Sequence, residues 1–190
     1  GEALLYAYTI SKGKALLVAK TYPQGIEYTG IGPAFIGDIK GSGKSSILIT
    51  RFTKLLAYSY DGTSRFQLDW SFPTTDSSGF NGLTMFDFNQ DGIQEIVYRD
   101  ETDVKIINGS TTIPNLIAKI RCLSPTWSEY PIVGDIDNSG HAKICVTCSE
   151  SDDWIGKLNV YGPPDSLPGW APARGIWNQY NYHVLNINDD

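Results

Sequence analysis

Positive charge is scarce in this chain, histidine is scarcer, and no apolar run is long. Lysine and arginine number 15 against 21 aspartates and glutamates, a formal net charge of -6 with a pI near 4.8. That balance argues against nucleic-acid binding, which favours basic patches. No stretch approaches the ~20 apolar residues that a membrane-spanning helix needs. The only histidines are His141 and His183, and neither lies near a plausible nucleophile in sequence. There is no Gly-x-Ser-x-Gly elbow and no His-Glu-x-x-His pair, so the common hydrolase signatures are missing.

What the chain does have is turn formers and aromatics: 19 glycines, 10 prolines, 11 tyrosines and 5 tryptophans in 190 residues. This composition suits a turn-rich all-β protein long enough to bury a substantial core. A loop pattern recurs three times, with its leading aspartates Asp38, Asp87 and Asp135 spaced 49 and 48 residues apart. Such a period marks a repeat architecture.

The middle copy runs Asp87-Phe88-Asn89-Gln90-Asp91-Gly92-Ile93-Gln94-Glu95. Alternate residues of a tight loop can turn carboxylates and amides inward toward a hard cation that takes six to eight oxygens. Asp87, Asn89 and Asp91 occupy that alternation, and Gly92 permits the sharp turn. The Ile93 carbonyl and the Glu95 carboxylate complete a calcium shell. An EF-hand would place its acidic ligand at the twelfth position. Here that position is Tyr98, and the flanks are β-branched and aromatic, so the loop is expected to join two strands. A plain solvated turn is the competing reading.

The third copy retains Asp135 and Asp137, with Ser139 and His141 at the next alternate positions and Lys143 where the second has Glu95. Calcium at this weaker site, or a lysine supplying the positive charge instead, both remain open. The first copy keeps only Asp38 and Ser42, with Lys40 at a ligand position, and is expected to hold no metal. Its Gly41-Ser42-Gly43-Lys44-Ser45-Ser46 stretch imitates a phosphate loop, but the first glycine required by that motif is replaced by Asp38. Nucleotide binding is not expected.

The same order of elements recurs around each loop. An apolar strand enters, a second leaves, and an alternating strand follows, such as Lys54–Tyr60. Turn residues come next, and another apolar run such as Phe66–Trp70 often closes the unit. Four short strands in about 48 residues suit one blade of a β-propeller.

The loop and its flanking strands resemble the FG-GAP or VCBS repeat, the calcium-binding blade of integrin α-subunit-like propellers. The resemblance covers roughly residues 25–165. It implies blades at 25–73, 74–122 and 123–165, with 1–24 as the last two strands of a preceding blade, together about three and a half blades within 1–165. A closed ring typically has four to eight. The chain begins in mid-blade without an initiator methionine or signal peptide. The expectation is therefore a segment of a longer secreted protein, or a ring completed by another chain.

Residues 166–190 depart from the repeat and are read as an aromatic, proline-containing segment or linker. Trp170, Pro172, Arg174, Trp177, Asn178 and Gln179 resemble a tail found in large surface proteins of gliding bacteria. Trp170, Trp177, Tyr180 and Tyr182 suit either a sugar-stacking platform or packing anchors for the last blade, with packing favoured.

Three cysteines remain. Residues three apart on a strand face opposite sides, which makes a bridge within Cys145-Val146-Thr147-Cys148 awkward. Zinc would need more soft ligands than the chain offers nearby. A Cys122–Cys148 disulfide with Cys145 free and buried is preferred, and three buried thiols remain the alternative.

Three functions follow. The first is a noncatalytic calcium-stabilised propeller segment at the cell surface or secreted, contacting protein or glycan partners in adhesion. The second is a lectin-like propeller with Trp127 and Trp154 near sugar pockets. The third is part of a calcium-dependent polysaccharide-degrading enzyme, for which Asp152-Asp153-Trp154 is the candidate acid pair. The first leads because the repeat accounts for most distinctive residues without requiring chemistry.

Overall fold

Alternation of apolar and polar residues between glycine, asparagine and aspartate turns produces strands throughout. The computed structural model describes residues 5–22, 31–124, 129–149 and 156–177, and among them every regular element is a β-strand. The first two, β1 (Leu5–Ser11) and β2 (Lys14–Thr21), form an antiparallel pair. The first full sheet contains β3 (Phe35–Gly37), β4 (Ser46–Arg51), β5 (Lys54–Tyr60) and β6 (Phe66–Pro73). The second contains β7 (Leu83–Phe86), β8 (Glu95–Arg99), β9 (Asp103–Asn108) and β10 (Asn115–Arg121). The third contains β11 (Ile132–Gly134), β12 (Lys143–Ser149) and β13 (Gly156–Tyr161). In each sheet the strands lie in chain order and every pairing is antiparallel.

The sheets stack face to face. Leu48, Leu55, Ala57 and Trp70 of the first sheet pack with Leu83, Met85, Ile96, Tyr98 and Ile107 of the second. Phe88 and Val97, Val104 and Ile106 of the second pack with Val133, Ile144 and Val146 of the third. The β1–β2 pair sits on the other face of the first sheet, where Leu5 joins Ile49, Leu56 and Tyr58. Burying side chains on both faces of a sheet explains the near-continuous apolar runs of β5 and β8, since neither face meets water. The leading strands are neighbours, β3 beside β7 and β7 beside β11. Among the described residues the stack does not close into a ring.

Gly41–Ser46 leads into strand β4. β10 is the one strand in these sheets that the sequence pattern does not single out. It alternates poorly, because only two of its seven residues, Ala118 and Ile120, are even partly buried. The expected disulfide is present: Cys122, just past β10, bridges to Cys148 on β12. It ties the exit of the second sheet to the second strand of the third. Cys145 is free and buried.

Candidate metal centre

The three loops leave the same end of their sheets, each between a first and second strand, and they share one backbone scaffold. The leading aspartate turns its carboxylate back over the loop and accepts main-chain N–H groups, as anions at tight turns commonly do. In the second loop Asp91 N donates to Asp87 Oδ1 at 3.1 Å and Gly92 N to Asp87 Oδ2 at 2.8 Å. In the third, Ser139 N and Gly140 N reach the two oxygens of Asp135, each at 3.0 Å. In the first, Ser42 N and Gly43 N do the same to Asp38. Burial opposes charge on the Asp38 carboxyl, yet the N–H groups from Ser42, Gly43, Lys40 and Gly41 together hold it below the usual carboxylate range. The turn needs left-handed backbone at two places, Gln90 and Gly92 (φ 60 and 84) in the second loop and Asn138 and Gly140 (φ 56 and 80) in the third.

The second loop concentrates oxygen donors. Asn89 Oδ1 accepts from Asp91 N at 3.2 Å, and Asp91 Oδ1 accepts from Ile93 N at 2.8 Å. Glu95, at the start of β8, is buried, and Oε2 accepts from Phe88 N at 3.1 Å. Burial raises the Glu95 pKa. The Phe88 N–H works against that rise, while the nearby Asp91 and Asp87 charges add to it. A buried carboxyl that feels the charges of two other carboxylates is the donor chemistry a hard divalent cation would relieve. The side chains are nevertheless turned toward one another and the main chain. Asn89 Nδ2 donates to Asp91 Oδ2 at 3.0 Å. Among the described residues no three His, Cys, Asp or Glu side chains are gathered closely enough to hold a metal ion. The donor types fit calcium, and the carboxylates of Asp87, Asp91 and Glu95 would have to draw together to hold it.

In the third loop a side-chain cation stands among the candidate ligands. Lys143 Nζ lies 3.0 Å from Ser139 Oγ and 3.4 Å from Asp137 Oδ2. Asp137 is pulled down to about 2, first by the Ser139 hydroxyl and, against the opposing effect of desolvation, by the Ser139 N–H and Lys143. His141 points elsewhere, with its ring Nδ1 2.7 Å from the Trp170 carbonyl. In the first loop Lys40 turns to Asp69 on β6, 2.9 Å away.

The segment after the third sheet docks beside the second and third loops. Ala171 N donates to Phe88 O, Ala142 N to Ala171 O, and Asp135 N to Arg174 O, at 2.9, 3.0 and 3.0 Å. The Trp170 and Phe88 rings meet edge to face at 4.6 Å between centroids, so Trp170 is a packing anchor. Between this segment and the loops lies a cleft of about 450 Å³ lined by Phe88, Asn89, His141, Leu167, Pro168 and Trp170. A Cβ on Gly169 would stand 2.6 Å from the His141 ring, so glycine there lets the imidazole pack against the chain.

The opposite strand ends hold a buried polar network not visible in the sequence motifs. Lys105 on β9 pairs with the fully buried Asp100, and Arg99 pairs with Glu129 at 3.1 Å and donates to Leu123 O at 2.8 Å. Tyr98 Oη donates to Asp76 Oδ2 at 3.1 Å. Strand alternation does not announce these pairs: Lys105 meets Asp100 within the β8–β9 hairpin, and the others join segments distant in the chain. Trp127, Asp152, Asp153, Trp154, Tyr180, Tyr182 and His183 lie outside the described residues.

No protein-family model and no curated protein matches this chain. Among solved structures, it is similar to the crystal structure of the V. cholerae biofilm matrix protein Bap1, with a TM-score of 0.62 and 25% sequence identity. The similarity covers 76% of this chain and 24% of that protein, so this chain spans about a quarter of its structural neighbour.

Proposed function

We propose that this chain is a calcium-stabilised, noncatalytic portion of a β-propeller of the FG-GAP or VCBS type, acting in a secreted or cell-surface matrix or adhesion protein. The observation that carries the reading is the loop Asp87–Glu95. Its alternate residues Asp87, Asn89 and Asp91, with Glu95, place four candidate oxygen ligands within nine residues at the turn joining β7 to β8, and the buried Glu95 carboxyl feels the charges of Asp91 and Asp87. Asp87, Asn89, Asp91 and Glu95 would hold the ion, with the Ile93 carbonyl. Bound calcium would neutralise the three carboxylates and cross-link the entry and exit of one turn, and its binding free energy would add to folding. The third loop is read as a lysine-filled copy. The stack of antiparallel sheets with neighbouring leading strands supports the propeller arrangement. The similarity to a biofilm matrix protein and the Cys122–Cys148 bridge support an extracellular setting.

The test is a thermal melt after metal stripping, with calcium or magnesium added back, beside Asp87→Ala/Asp91→Ala. A calcium-selective rise in melting temperature that the double variant loses supports the reading; an unresponsive wild-type chain sinks it.

The cleft beside Trp170 favours carbohydrate binding as a second reading. It combines apolar walls from Phe88, Leu167 and Pro168 with the Asn89 amide and the His141 imidazole, the mixture that small polar ligands with an apolar face require. Glycan-array binding lost on Leu167→Asp would support it, and a blank array would remove it.

A further inference from the structure

The first and second loops clasp each other directly. Gln94 Oε1 accepts from Asp38 N at 3.0 Å, and Gln94 N donates to Asp38 O at 3.2 Å. Ala142 holds the position of Gln94 in the third loop, one residue before Lys143 as Gln94 stands one before Glu95. Its methyl group offers no such side-chain bond. Residues 170–174 supply the contacts instead. Ala171 O accepts from Ala142 N, the counterpart of Gln94 N, and Arg174 O accepts from Asp135 N, the counterpart of Asp38 N. A Cβ on Gly134 would stand 3.1 Å from Arg174 O, so this strap runs close against the entry to the third loop.

On its other side the strap is joined to the second loop through one residue. Phe88 lies between the candidate ligands Asp87 and Asn89 and is buried. Its N–H donates to Glu95 Oε2, its carbonyl accepts from Ala171 N, and its ring meets that of Trp170 edge to face. The residue is thus tied at its N–H to a third candidate ligand, and at its carbonyl and ring to the strap. Ala171 is itself buried where the two loops converge on it.

We propose that calcium binding at the second loop and docking of the strap 170–174 are coupled, each strengthening the other. The inference rests on the calcium reading of the Asp87–Glu95 loop. When Asp87, Asp91 and Glu95 draw together on an ion, Phe88 is fixed between the ligands that flank it and the ligand that its N–H holds. A strap that docks on a carbonyl and ring already fixed loses less conformational freedom in total, and a docked strap holds the loop backbone where its ligands are needed. Linkage makes the two effects equal in size. The same stretch of chain lines the cleft through Leu167, Pro168 and Trp170, so the cleft is complete only while the strap is docked.

Calorimetric calcium titration and amide hydrogen exchange followed by NMR test the coupling together. Calcium should slow the exchange of the Ala171, Ala142 and Asp135 amides at short times, when the amides of β5 stay protected with or without the ion. Trp170→Ala should weaken calcium affinity by about 5-fold or more, the lower range of such couplings, with circular dichroism unchanged. Trp170→Leu serves if the alanine variant misfolds. Calcium that binds while strap exchange is unchanged or faster, or with an affinity that the Trp170 variants leave intact, would overturn the coupling and leave the calcium site standing. A chain that binds no calcium would overturn both.

Discussion

The Lys143 ammonium stands 3.4 Å from the Asp137 carboxylate, inside the third loop and at the repeat position that Glu95 holds in the second. A cation tethered to β12 thus engages two of the loop's candidate ligands. Replacing Lys143 with glutamate should turn this loop into a second calcium site. The expected outcome for Lys143→Glu is a lower melting temperature in chelator than wild type, and a larger rise on adding calcium. Calorimetric titration should then count one more bound ion than in the parent chain. An unchanged count would mean that the lysine is incidental to the loop's metal preference.

Glu95 gives a pH dependence with a definite sign. Its pKa is raised in the fold by burial and by Asp91 and Asp87. The folded chain therefore holds the proton more tightly than the unfolded chain, and stability in chelator falls as pH rises from the ordinary glutamate value through the raised one. Protons and calcium should compete for this group, so calcium affinity should weaken as pH falls through the same window. Glu95→Gln should flatten the stability profile in chelator and remove most of the calcium response. Melts at a series of pH values, with and without calcium, check both effects.

Lys105 and Asp100 form a buried pair on the far side of the second sheet from the metal loop. Burial alone would raise Asp100; the Lys105 ammonium and N–H groups from Thr75 and Thr102 outweigh it and hold the carboxyl low. Lys105→Met removes one partner and leaves a buried carboxylate, which typically destabilises by about 3–5 kcal/mol. Urea unfolding should show that loss near neutral pH and a smaller one in acid, where Asp100 is protonated. A loss under about 1 kcal/mol at neutral pH, the range of exposed pairs, would contradict the burial argument.

The Cys122–Cys148 bridge closes a sequence separation of 26 residues across the second and third sheets. By the loop-entropy estimate its removal should destabilise the chain by about 3 kcal/mol. Cys122→Ala/Cys148→Ala should show this in denaturant melts, while Cys145→Ala should not reproduce the loss of cross-link. An indifferent double variant would mean that the apolar contacts between the sheets already hold them in place.

The sequence alone determined the repeat, the strand order and the place of each loop. These rest on local chemistry: side chains alternate with period two, glycines and asparagines allow left-handed turns, and alternate acids crowd one loop. Lys54–Tyr60 is read correctly to the residue for that reason. The outer strand β10 was illegible because most of its side chains face water, leaving only Ala118 and Ile120 to mark an inner face. Tertiary structure decided where long side chains and distant segments meet. It placed Lys143 among the Asp137 and Ser139 oxygens and turned His141 to the Trp170 carbonyl. It also buried Lys105 against Asp100. These contacts depend on how long side chains turn within a loop or hairpin and on where the later segment docks, neither of which strand periodicity encodes.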